Sequence, residues 1–175
     1  MVERARLEQT ENGLVPSGEG WFVLNARDAP WWQSEYFGAS TSFEGEPEFP
    51  EYGINIHVLW PGQPNGLYHR ESVQEDFLVV SGECLVLIEG EEHRLGPWDL
   101  VHCPAETEHI FVGAGNGPCV IVMAGSRAPA TIVYPVSDLA ATHGASAEQE
   151  TGVPREAYAP FDRGGTGRMP DDALP

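Results

Sequence analysis

The chain contains no lysine; its nine basic residues are all arginine, set against 27 Asp and Glu for a formal charge of −18. So little positive charge argues against a nucleic-acid partner, because an acidic surface repels phosphate backbones and no arginine cluster interrupts it. Cysteine is also scarce, and odd in number: Cys84, Cys103 and Cys119 each lie in or beside an apolar run. Buried free thiols in a reducing cytoplasm fit this pattern better than a disulfide framework. No apolar run approaches the ~20 residues that span a bilayer, and MVERARLEQTENG lacks a signal-type apolar core. The expectation is a cytoplasmic protein with no membrane partner.

What is present is punctuation. With 175 residues the chain is long enough for one domain with its own core, and 15 Pro and 20 Gly separate short apolar runs. Residues 1–19 are polar and read as a loose arm. GWFVLNARDAPWW (20–32) carries a short strand and the pair Trp31 and Trp32, which suits a ligand wall but more simply covers a sheet edge or a subunit contact. From 53 to 125 the pattern becomes regular: INIHVLW, DFLVV, CLVLI, EEHRL, DLVHC, HIFVG and CVIVMAG alternate with Gly- and Pro-bearing turns. Short strands at such spacing predict an all-β antiparallel sandwich or barrel. A 136–161 extension follows, where Ser137 is placed to N-cap DLAATH and Gly144 to end that short helix. The tail, 162–175, has too little apolar content to fold alone and is expected to be disordered.

The chemistry concentrates in YHRESVQEDFLVVSGE (68–83) and PAETEH (104–109). On a strand, residues two apart share a face, so His69, Glu71 and Glu75 point one way and Phe77 continues that face into apolar packing. His109 opens another strand directly after a turn, and can close the site from across a barrel. Two imidazoles with one or two carboxylates leave coordination positions for water and substrate, as an open divalent-metal site requires. Glu106 and Glu108 flank His109 as candidates to fix its tautomer, or as solvated loop charges. His57 shares a face with Asn55 and Leu59; it is a weak candidate for acid/base work, since a strand histidine is more often structural. Cys103 has the phase of Val101 and reads as buried rather than nucleophilic. Parity puts Tyr68 on the face away from the ligands.

These residues resemble the cupin superfamily of small jelly-roll barrels. In the family's first motif, G-x5-H-x-H-x3-4-E-x6-G, His69 matches the first histidine, Glu75 the glutamate and Gly82 the closing glycine. Glu71 stands where the second histidine belongs. The second motif, G-x5-P-x-G-x2-H-x3-N, is matched by Pro104 and His109, while Trp98, Glu106 and Gly113 replace its glycines and asparagine. The resemblance covers about residues 50–125, with the motifs at 66–82 and 98–113.

What it implies is an antiparallel jelly-roll (double-stranded β-helix) barrel over 20–135, with a short C-terminal helix. It further implies a divalent metal on His69, Glu71, Glu75 and His109. Either both carboxylates coordinate, or His69, Glu75 and His109 form a facial triad, or Glu71 turns away. More oxygen ligation favours Fe or Mn, with Zn still permitted. Trp60, Phe77, Cys103 and Phe111 are the candidate substrate-pocket residues. A metal-dependent enzyme acting on a small oxygen-bearing substrate, of dioxygenase or isomerase type, is the expected function. The alternatives are a non-catalytic binder of a sugar or carboxylate, and a metal-free structural barrel. The resemblance also implies a homodimer, for which the aromatics around 21–37 offer apolar surface.

Overall fold

A computed structural model describes residues 1–46, 48–162 and 164–175. Its first half runs β1 (Arg6–Thr10), β2 (Gly13–Ser17), β3 (Trp31–Ser34), β4 (Gly38–Thr41), β5 (Tyr52–Leu59), β6 (Arg70–Glu71) and β7 (Glu75–Ser81). There follow β8 (Glu83–Ile88), β9 (Glu91–Leu95), β10 (Leu100–Cys103), β11 (His109–Ala114), β12 (Cys119–Ser126) and β13 (Ile132–Val133). The helices α1 (Asp138–Thr142) and α2 (Pro154–Ala157) and the strand β14 (Gly165–Gly167) complete the chain. Among the described residues no helix is long and apolar enough to cross a membrane.

A seven-stranded antiparallel sheet in the order β10-β7-β12-β5-β4-β3-β14 faces a three-stranded one, β11-β8-β9. This is the antiparallel sandwich expected from the strand spacing, and the jelly-roll that the cupin resemblance implied. Alternate residues of both sheets fill the space between: Leu59, Phe77, Val79, Ile121 and Met123 from the larger sheet meet Val86 and Phe111 from the smaller. Burying each such side chain contributes about 1.5–3 kcal/mol, which makes this layer the main source of stability. Gly82, at φ 73, turns β7 into β8 where a Cβ would strike the Pro118 carbonyl. Only glycine suits both demands.

The ends of the chain differ from their composition. Residues 1–19, expected to be loose, carry the β1–β2 hairpin, whose Leu14 amide donates to the Asp28 carbonyl at 2.7 Å. The Asn12-Gly13 step beside that turn was the available signal. The glycine-rich tail, expected to be disordered, carries β14 paired with β3 and buries Ala173 fully near the end of the chain. Main-chain pairing needs no apolar side chain, so low hydrophobicity was a poor guide there. The aromatics of 21–37 also divide: Trp31 and Phe37 are core residues, whereas Trp21 and Tyr36 remain exposed. Helix α1 forms as its caps predict, with the Ser137 hydroxyl accepting from the Ala140 amide and Gly144 at φ 67.

Candidate metal centre

Four sequence-predicted ligands line one cavity of about 280 Å³ at the mouth of the sandwich: His69, Glu71, Glu75 and His109. Main-chain pairing brings the two motifs together. The His69 amide donates to the His109 carbonyl at 3.2 Å and the His109 amide to the His69 carbonyl at 2.8 Å, so the residues form an antiparallel bridge. Their rings then lie on the same side, with centroids 4.9 Å apart. Glu75, the first residue of β7, completes the group: one ligand atom from each of His69, Glu75 and His109 lies within 4.8 Å of the others. Glu71 lines the same cavity but lies outside this tight triad.

Both imidazoles have a fixed tautomer. His69 Nδ1 is 2.7 Å from the Leu67 carbonyl, and His109 Nδ1 is 3.0 Å from the Thr107 carbonyl. A carbonyl only accepts, so each Nδ1 carries the proton and each Nε2 keeps its lone pair for a cation. Glu106 and Glu108, considered for this task from the sequence, bind Arg70 instead, at 3.5 and 2.7 Å. The orienting acceptors are backbone carbonyls two residues upstream of each histidine, which no side-chain pattern reveals.

The electrostatics suit a divalent cation. Burial, reinforced by the neighbouring His109, lowers the His69 pKa to about 4, and burial lowers that of His109 as well. Burial, with the Glu71 charge beside it, raises Glu75 to about 7, and burial also raises Glu71. His109 Nε2 and Glu75 Oε2 are 3.5 Å apart, yet a neutral imidazole next to a carboxyl that resists ionisation is no ion pair. A divalent cation would supply the compensating charge. The donor set of two lone-pair nitrogens and one or two carboxylates fits such an ion.

The other predicted residues separate. Phe77 and His57 line the cavity, His57 with its pKa lowered to about 4 by burial. Cys103 and Phe111 lie in the core layer rather than on the cavity wall, and burial pushes the Cys103 thiol up to about 12. Trp60 does not line the cavity. Strand β5 ends at Leu59, and Trp60 packs on the opposite cluster of Trp31 and Val58 with its indole toward Asp172, 3.4 Å away. Tyr68 is buried away from the ligands, and its hydroxyl accepts from the Gly90 amide. Sequence reasoning missed Arg127, which lines the cavity and pairs with Glu44 at 2.6 Å. Its guanidinium lies where a Cβ on Gly53 would stand, so the glycine is its only hint in the sequence.

The family model described as "Cupin domain" matches residues 55–125, the span that contains all four candidate ligands. Residues 55–125 are a cupin domain. A sugar phosphate isomerase of the cupin superfamily from Silicibacter pomeroyi shares the fold at 18% identity and TM-score 0.55, over 87% of this chain and 99% of that one. The polyketide cyclase RemF from Streptomyces resistomycificus aligns at 14% identity and TM-score 0.54, over 63% of this chain and 83% of that one. A candidate sugar phosphate isomerase from Acidithiobacillus ferrooxidans aligns at 23% identity and TM-score 0.49, over 54% of this chain and only 61% of that protein's length. Comparison with the curated proteins gives no match. Within the cupin frame the departures stand out. Trp98 at φ 75 and Glu106 at φ 68 hold left-handed conformations at the two positions where the second motif has glycine.

Proposed function

We propose that this cupin is a metal-dependent enzyme acting on a small oxygen-bearing substrate. His69, Glu75 and His109 would hold a divalent ion of the Fe, Mn or Zn class, with Glu71 beside it. The observation that carries this reading is the triad of His69, Glu75 and His109, whose ligand atoms lie within 4.8 Å of one another while both Nδ1 atoms are engaged by backbone carbonyls. When bound, the ion supplies Lewis-acid polarisation of a substrate carbonyl or carboxylate.

The chain's own residues supply the rest. Glu71 and His57 face the same cavity as the triad. Burial keeps the imidazole of His57 neutral and raises the Glu71 carboxyl above its ordinary range, and both are placed as candidates to exchange protons with a substrate held at the triad. Phe77 gives the cavity lining an apolar ring, and Arg127 gives it a cation. Two proton-transfer groups beside the ligands favour isomerase-type over dioxygenase-type chemistry. The solved neighbours named for isomerisation and cyclisation share the fold alone and do not choose between reactions.

The test is elemental analysis of protein purified without chelator, with thermal melts on adding Mn²⁺, Fe²⁺ or Zn²⁺. A near-stoichiometric metal is expected. An ion at a hundred times its Kd should stabilise by about 2.7 kcal/mol, or roughly 5–10 °C for a chain of this size. No bound transition metal together with no thermal shift would sink the reading.

A further inference from the structure

Behind the wall of the metal cavity lies a second chamber of about 370 Å³. The two share Asn55 and His57. Sheet register explains the adjacency. Thr166 pairs with Trp32, Trp32 with Ser40, Ser40 with His57 and His57 with Ile121. Residues directly opposite on neighbouring strands share a face, so this row runs from the core layer, past His57, onto the same face of β4, β3 and β14. Leu14 and Pro16 of the N-terminal hairpin cover it. Apart from Asn55 and His57, the chamber is built by segments outside the cupin domain.

The chamber's chemistry is specific. Thr41 Oγ1 and His57 Nδ1 are the two buried side-chain polar atoms without a hydrogen-bond partner among the described residues, and both residues line it. His57 shares the chamber's face with Ser40, whereas Thr41, one residue further on, pairs with Ile56 on the other face. A ligand hydroxyl in the chamber would therefore serve the His57 ring. Trp32 and the prolines offer flat apolar walls, while Ser40, Ser42 and Thr166 add hydroxyls. Glu44 is the one charged side chain on the lining among the described residues, and Arg127 neutralises it. Phe43 reaches the lining from a left-handed backbone at φ 60, a costly conformation for a bulky residue.

We propose that this chamber binds an uncharged hydroxylated ring, and that it extends the metal cavity past His57 to take the distal part of the substrate. The second half of that statement rests on the enzyme reading above; the first does not. Two sources share the ring chemistry, a saturated sugar and an aromatic phenol. The probes are therefore methyl β-D-glucopyranoside and resorcinol, which does not chelate metal, each followed by saturation-transfer NMR and titration.

At least one probe should receive saturation from the native protein, and which one identifies the source. Ser40→Leu, which pushes a branched apolar side chain into the chamber beside His57, should abolish the signal. His57→Phe, which keeps a ring but removes its nitrogens, should weaken affinity about 3–10-fold. His69→Ala, outside the chamber, should keep the probe, so failure of the metal reading leaves this result standing. Saturation of neither probe, or native affinity in both Ser40→Leu and His57→Phe, would overturn the proposal.

Discussion

His69 and His109 are joined by two reciprocal main-chain hydrogen bonds, amide to carbonyl in both directions. This isolated bridge links the end of the 60–69 loop to the start of β11, and it lies outside the named ladders. The metal site is therefore held by backbone, and its side chains can be cut without removing the pairing.

Accordingly, His69→Ala and His109→Ala should each lose metal while keeping the native far-ultraviolet circular dichroism. His109 is 2% exposed and packs against Phe77, so its truncation should also cost about 1–3 kcal/mol in urea unfolding. A His69→Ala variant with full metal content would remove this histidine from the ligand set.

The two glutamates should behave differently. Glu75 belongs to the tight triad and Glu71 does not. Glu75→Gln should abolish metal binding. Glu71→Gln should retain it with a loss of roughly 10–100-fold in affinity, the range of groups that tune ligands without being indispensable. Calorimetric titration with Mn²⁺ separates them, and equal losses would place both carboxylates in the coordination sphere.

Metal affinity should rise with pH up to about 7 and then level off, because Glu75, raised to about 7, must release its proton while His69 is already neutral. Binding at pH 6 should thus release about one proton, falling toward none by pH 8.5, as titration in buffers of different ionisation enthalpy would show. The same shift acts on the metal-free fold. Between 4.5 and 7 the native state retains a Glu75 proton that the unfolded chain has lost, so stability falls as pH rises through that window. Glu75→Gln should flatten this fall. His69 opposes it at the acid end, since native stability is lost as pH drops from 6.5 toward 4.

Trp98 is 75% exposed and sits at φ 75. Left-handed backbone costs a residue with a Cβ about 1–2 kcal/mol, which glycine avoids. Trp98→Gly should therefore be more stable than Trp98→Ala by about 1 kcal/mol. Chemical denaturation of the two variants checks this; an alanine variant as stable as the glycine one would show that the turn carries no such strain.

Much of the fold was legible along the chain. Alternating apolar runs and Gly or Pro turns specify the strands, because a pleated sheet with one buried face demands period two. His69, Glu75 and His109 could be chosen because their residue types and spacing suit one strand face and one strand start. The second chamber was not legible. Its lining comes from the first hairpin, β3, β4 and β14, distant in sequence and joined only through sheet register.

The sequence by itself determined the strands, the candidate ligands and the departure at Glu71, since these depend on local periodicity and side-chain chemistry. Only the tertiary structure decided that Glu71 stands outside the triad, that backbone carbonyls set both tautomers, and that His57 lies between two cavities. Each of these depends on which distant backbones hydrogen-bond to one another, and that pairing is fixed by the packing of the whole sandwich rather than by any segment of it.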